Sequence, residues 1–122
     1  MTYTYTFEKL EVWQLSRSFV KDIYEVTKLF PKDEQYGLTS QIRRAAVSIS
    51  SNIAEGSSRL TTKDRAHFTM IAFSSAIEVV NQIIIACDLE YITLDILTDL
   101  KEKLAKLTNK LNAYHKAQLQ QK

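Results

Sequence analysis

Residues 41–56 read QIRRAAVSISSNIAEG, and within them Arg44, Ser48, Asn52 and Glu55 follow at steps of four, four and three. On a helix those steps bring neighbouring side chains within reach of one another. A guanidinium, a hydroxyl, an amide and a carboxylate in one row can hold an anion, bond a partner or fix the register of an adjoining helix. Glu55 and Arg59 offer a further ion pair near the end of the row. Glu78 is the second polar feature, set in the apolar run AFSSAIEVV with Ser74, Asn81 and Gln82 close by. A buried Glu78 would need a cationic partner, and Arg43 or Arg44 is the first choice. The preferred reading of Arg44, Ser48, Asn52, Glu55 and Glu78 is structural: buried or interface groups that set helix register or a subunit contact.

Other chemistry is thinly supplied. His67 and His115 are the only histidines and fall on different helical segments. Asp64 precedes His67 by three residues, but it reads as a helix-start residue. A di-iron bundle needs Glu-x-x-His pairs, and the chain has none. Nothing marks a nucleophile elbow, and Gly37 and Gly56 stand alone rather than in a phosphate-binding loop. Cys87 is the single cysteine, which rules out an intrachain disulfide, and it reads as a small apolar core residue. No catalytic residue, cofactor or metal site is expected.

The elements that must position these groups are helices. The chain has 122 residues, suited to one domain over 1–122, with 45% hydrophobic and 25% charged residues. Two glycines and one proline are too few for a turn-rich β fold and favour an all-α one. The first helix is expected over about 8–29, with Val12, Ser16, Phe19, Ile23 and Val26 at helical spacing, and Phe30-Pro31 ends it. The second, about 38–55, carries Leu38, Ile42, Ala45, Ala46, Ile49 and Ile53 on one arc, with Gly56 as a left-handed cap. The third, about 62–87, opens on Thr61 and Asp64 as a capping box. It has two apolar faces, one through Ala72, Val79 and Ile83 and another through Phe73, Ile77, Val80 and Ile84. A helix in a small monomeric bundle keeps one face polar, so the second face is assigned to an oligomer interface. The fourth, about 93–117, repeats Leu97, Leu100, Leu104, Leu107, Leu111 and Tyr114 as a heptad seam, and its tail QLQQK is expected to fray. Short connections favour an antiparallel up-down-up-down four-helix bundle.

Net charge is +2 but unevenly placed. Residues 76–99 hold five acids and no Lys or Arg, whereas residues 101–122 hold six lysines against Glu102 alone. Arg43, Arg44, Arg59, Lys63, Arg65, Lys103, Lys106 and Lys110 are the candidate nucleic-acid contacts, suited to phosphate rather than to base reading. Repetition of such patches around a ring would turn modest local charge into a sizeable field. The N-terminus lacks a basic stretch followed by an apolar run, and no segment is read as membrane-spanning, so the expected location is cytoplasmic.

The segments FEKLEVWQLS, IYEVTKLFPKDEQYGLTSQIRRAAVSISSNIAEGSSR and FTMIAFSSAIEV resemble bacterial four-helix-bundle proteins also called 23S rRNA intervening-sequence proteins. The resemblance covers roughly residues 7–90; Ser74 stands where the family often has glycine. It implies an antiparallel four-helix bundle assembled as a ring-like homo-oligomer, a homopentamer. It also implies kinship with the accessory protein of diversity-generating retroelements, a basic pentameric barrel that binds nucleic acid and a reverse transcriptase. The expected function is a non-enzymatic bundle that binds or scaffolds RNA or DNA. The alternative is a platform for a partner protein with no nucleic-acid role.

Overall fold

Threonine hydroxyls open two of the four helices. The computed structural model describes residues 2–121, which form four α-helices and no strand. In α3 (Thr62–Asp88) Thr61 Oγ1 accepts from the Asp64 amide at 3.1 Å, and in α4 (Leu94–Leu119) Thr93 Oγ1 accepts from the Ile96 amide at 3.2 Å. Each satisfies one of the donors that a helix start leaves free. α2 (Leu38–Ser57) is capped instead from the preceding linker, where Glu34 Oε1 accepts from the Leu38 amide at 3.1 Å.

α1 runs Glu11–Thr27, starting later than position 8. Leu10 is extended, with φ −74° and ψ 128°, and separates α1 from a 3-10 turn at Thr6–Lys9. The helix also stops short of Pro31: the Phe30 amide donates to Thr27 O at 3.1 Å, closing a turn, and a second 3-10 turn follows at Lys32–Glu34. α4 reaches Leu119, and the fraying expected of QLQQK does not extend to Gln118. Gln118 is buried, and its Oε1 accepts from Thr69 Oγ1 at 2.6 Å.

Each helix lays an apolar stripe on one shared core. Phe19 and Ile23 come from α1, Ile42, Ala46, Ile49 and Ile53 from α2, Ala72, Ala76, Val79 and Ile83 from α3. α4 contributes Leu97, Leu100, Leu104, Leu107 and Leu111 along its seam. Packing runs α1 to α2, α2 to α3, α3 to α4 and α4 back to α1, so α1 lies diagonal to α3 and α2 to α4. Side-chain links tie neighbours together along their length. Lys110 pairs with Glu11 at 3.2 Å and Lys103 with Asp22 at 3.3 Å, between α4 and α1. Arg43 Nε donates to Thr27 Oγ1 at 2.7 Å between α2 and α1.

Gly56 corrects one expectation. It is not a left-handed cap: no glycine in the described chain has positive φ, and α2 continues through it to Ser57. A Cβ built there would lie 2.7 Å from Phe68 Cβ, so glycine is required by the close approach of α2 and α3.

α3 is long and apolar enough to cross a membrane by length and composition, although Glu78 interrupts it and it holds no run of about 18 uncharged apolar residues. Core helices pass the same test, and Ala72, Ala76, Val79, Ile83 and Ala86 of α3 line the shared core.

Candidate nucleic-acid interface

The row on α2 divides into parts with different surroundings. Ser48 Oγ and Ser75 Oγ lie 2.9 Å apart, joining α2 to α3. Asn52 Nδ2 donates to Ser48 O at 2.8 Å and to Ser48 Oγ at 3.0 Å. These two half-buried residues therefore form a helix-packing network. Arg44 and Glu55 are exposed at either end of the row. Glu55 and Arg59 do not form the expected ion pair; the Arg59 guanidinium lies over the Phe68 ring, 4.7 Å from its centroid.

Glu78 is exposed, so no buried charge calls for a partner. It accepts from Gln82 Nε2 at 3.2 Å. Glu78 and Arg44 border one open cleft of about 300 Å³ with Gln41 and Ser48, without coming within ion-pair distance. Arg43 turns the other way, toward α1. Its guanidinium lies 4.6 Å from the Tyr24 ring centroid and its Nη2 donates to Tyr24 O at 3.4 Å.

The candidate cations do not form one surface. Arg59, Lys63 and Arg65 gather at the α2–α3 connection, where Arg65 Nη1 donates to Arg59 O at 2.8 Å. Lys103 is held between Asp99 at 3.2 Å and Asp22 at 3.3 Å. The hydrogen bond to Asp99, then the one to Asp22, keeps its ammonium above the ordinary lysine range. Lys110 is tied to Glu11, while Lys106 is exposed beside Lys103 and Asp22. The lysine-rich α4 thus directs two of its charges at α1. Arg43 and Arg44 have no carboxylate within 4.0 Å among the described residues.

Four functional candidates escape the sequence reading. Arg17, Lys21 and Tyr24 follow at steps of four and three on α1 and line one open cavity of about 510 Å³ with Gln14, Ser18 and Val20. Tyr24 also borders a second cavity, of about 480 Å³, with Tyr36, Arg43 and Arg44. The spacing of Arg17, Lys21 and Tyr24 is a signal that the sequence carries; the placement of Tyr36, in the linker, is not.

Of the residues assigned to an oligomer interface, Ile77 and Ile84 are 49% and 38% exposed. Met70 and Ile85 are exposed beside them. Phe73 and Val80 are half-buried and pack against the core as well. Cys87 is half-buried at the core edge. His67 is exposed and His115 half-buried, and among the described residues no three His, Cys, Asp or Glu side chains gather as a metal site would require.

Residues 8–113 match a family model described as 23S rRNA-intervening sequence protein. A solved structure from Bacteroides thetaiotaomicron VPI-5482, described as a protein of unknown function from the S23 ribosomal protein family, is similar with a TM-score of 0.80. It is 23% identical, and the match covers 86% of this chain and 98% of that one. At that identity the likeness concerns the fold. No curated protein matches the chain.

Proposed function

The chain belongs to the 23S rRNA-intervening sequence protein family, and from that premise we propose that it is a non-enzymatic, homo-oligomeric bundle that binds nucleic acid through basic surface patches. In this reading residues 1–122 form one domain, an antiparallel up-down-up-down bundle acting in the cytoplasm. Copies assemble as a ring, a homopentamer, with α3 contributing its outward apolar face. The observation that carries the binding role is the set of arginines, Arg43 and Arg44 foremost, left without a carboxylate within 4.0 Å among the described residues; Glu78 shares a cleft with Arg44 without pairing with it, and three other acids near α1 and α2 are bound elsewhere. Asp22 is bound to Lys103, Glu25 to Lys28, and Glu34 to Tyr91 and the Leu38 amide. Unpaired surface cations favour a polyanion, and repetition around a ring multiplies the effect.

Titration of the assembled protein with RNA and DNA at several salt concentrations tests this. The logarithm of the affinity should fall linearly with log salt as counterions are released. No binding at low salt, or affinity indifferent to salt, would overturn the binding role.

The exposed Ile77 and Ile84 favour a second reading, in which α3 docks a partner protein and nucleic acid has no part. A protein complex that survives nuclease and high salt, with no oligonucleotide binding, would select that reading.

A further inference from the structure

The proposed nucleic-acid role leaves open which form of nucleic acid is bound and where. We propose that the adjoining cavities on the outer faces of α1 and α2 form a track for single-stranded nucleic acid, with tyrosine rings stacking bases and cations holding phosphates. This rests on the binding role proposed above and assigns it a site.

Three observations point to this track. First, it carries four cations, Arg17, Lys21, Arg43 and Arg44, and no carboxylate lines either cavity. None of the four lies within 4.0 Å of a carboxylate among the described residues. Glu25, the nearest acid along the chain to Tyr24, is paired with Lys28 at 3.3 Å. Second, the track carries aromatic surface that the core does not use. Tyr36 is 90% exposed, and Tyr24, with Arg43 over its ring, is exposed at the junction of the two cavities. Third, Arg43 is held in place yet not exhausted. Its Nε bonds Thr27 Oγ1 and its Nη2 bonds Tyr24 O, but a guanidinium has five N–H donors. The stacked, anchored guanidinium is therefore a preorganised phosphate ligand.

Alternating rings and cations is the pattern by which proteins bind single strands without reading sequence. A duplex hides its base faces within the stack, so the tyrosines would gain nothing from it. The cavities, about 510 and 480 Å³, are also large enough to admit ring-sized groups. At the α2–α3 connection Arg59 covers the half-buried Phe68 much as Arg43 covers Tyr24; what sets the track apart is Tyr36, a freely exposed ring lining its cavity.

The test uses the full-length protein with fluorescently labelled oligouridylate, the matching oligothymidylate, and an RNA duplex of equal length. Single strands should bind more tightly than the duplex; the ratio between the two homopolymers reports RNA or DNA preference. Tyr36→Ala, at a site the fold does not need, should weaken single-strand binding roughly 5- to 100-fold and leave duplex binding nearly unchanged. Tyr36→Phe should restore it, because stacking needs the ring and not the hydroxyl. Arg17→Gln with Lys21→Gln should reduce the salt slope by about 0.7 for each phosphate no longer neutralised. Arg59→Gln with Lys63→Gln should change little. Circular dichroism of each variant separates misfolding from weakened binding. Binding that survives the Tyr36 and Arg17/Lys21 changes, or that favours duplex, would overturn the track and leave the general binding role standing. Competition by polyglutamate as strong as by oligouridylate would also overturn it. A wild-type protein that binds none of the probes at low salt would overturn both.

Discussion

At Gly56 the α2 and α3 backbones approach too closely for any side chain. A methyl group there would meet Phe68 Cβ at 2.7 Å and Arg65 O at 3.5 Å. Phe68 Cβ is fixed to its own backbone, so rotation of the ring brings no relief and the helices must part. Gly56→Ala gains about 1 kcal/mol of helix propensity but incurs an overpacking cost of about 1–3 kcal/mol. Urea unfolding should show a net loss; a stabilised variant would refute the close-packing role. Glu34 gives stability a dependence on pH. The Tyr91 hydroxyl, which donates to Oε2 at 2.7 Å, is the main cause holding this carboxyl below its ordinary 4.5, with the Leu38 amide second. A lowered native pKa contributes stability above the unfolded value and loses it as pH falls through the native one. Tyr91→Phe should therefore flatten the acid-side decline of the melting temperature below about pH 4.5, the ordinary value for this carboxyl. A decline identical to wild type would show that the bond contributes nothing.

Among the elements, α4 is the most legible in the sequence. Its leucine seam is a local, uninterrupted heptad, and burial follows spacing directly when one stripe faces one core. Leu104 is 1% exposed in that seam, so Leu104→Ala should cost about 2–5 kcal/mol by leaving a cavity, read as a lowered denaturation midpoint. An unchanged midpoint would mean that the seam is not the core it is taken to be. The ends of the elements are less legible because tertiary partners set them. Gln118 stays helical through Thr69, 49 residues earlier in the chain, and no local pattern announces that bond. Gly56 misleads for a related reason: a glycine near a helix end suggests a cap unless the neighbouring helix is known. The polar row on α2 is visible in the sequence, but which members face α3 depends on Ser75 across the interface. The candidate interface is partly visible, since Arg43 and Arg44 stand out as adjacent cations. Arg17, Lys21 and Tyr24 are spaced to be found, but their value depends on α1 and α2 lying side by side.

The whole molecule presents two distinct surfaces. The outward face of α3 is apolar, and α1, which carries half of the proposed track, lies diagonal to α3 across the bundle. The first surface is assigned to self-assembly and the second to nucleic acid, so variants should separate them. Ile77→Asp and Ile84→Asp place a charge on exposed positions, where the fold tolerates it and a subunit contact does not. Val80→Asp is a poorer probe, because Val80 also packs against the core. The two isoleucine variants should keep wild-type helicity, lose the oligomer and bind oligouridylate more weakly, since each copy then acts alone. The most direct test of the central claim, that this bundle works as an assembled array, is the solution mass by light scattering. Wild type should be a closed oligomer of several chains, a pentamer in the proposed ring, and Ile77→Asp should fall to monomer mass while remaining folded. A wild-type monomer, or an Ile77→Asp and Ile84→Asp pair with undiminished mass, would contradict the account.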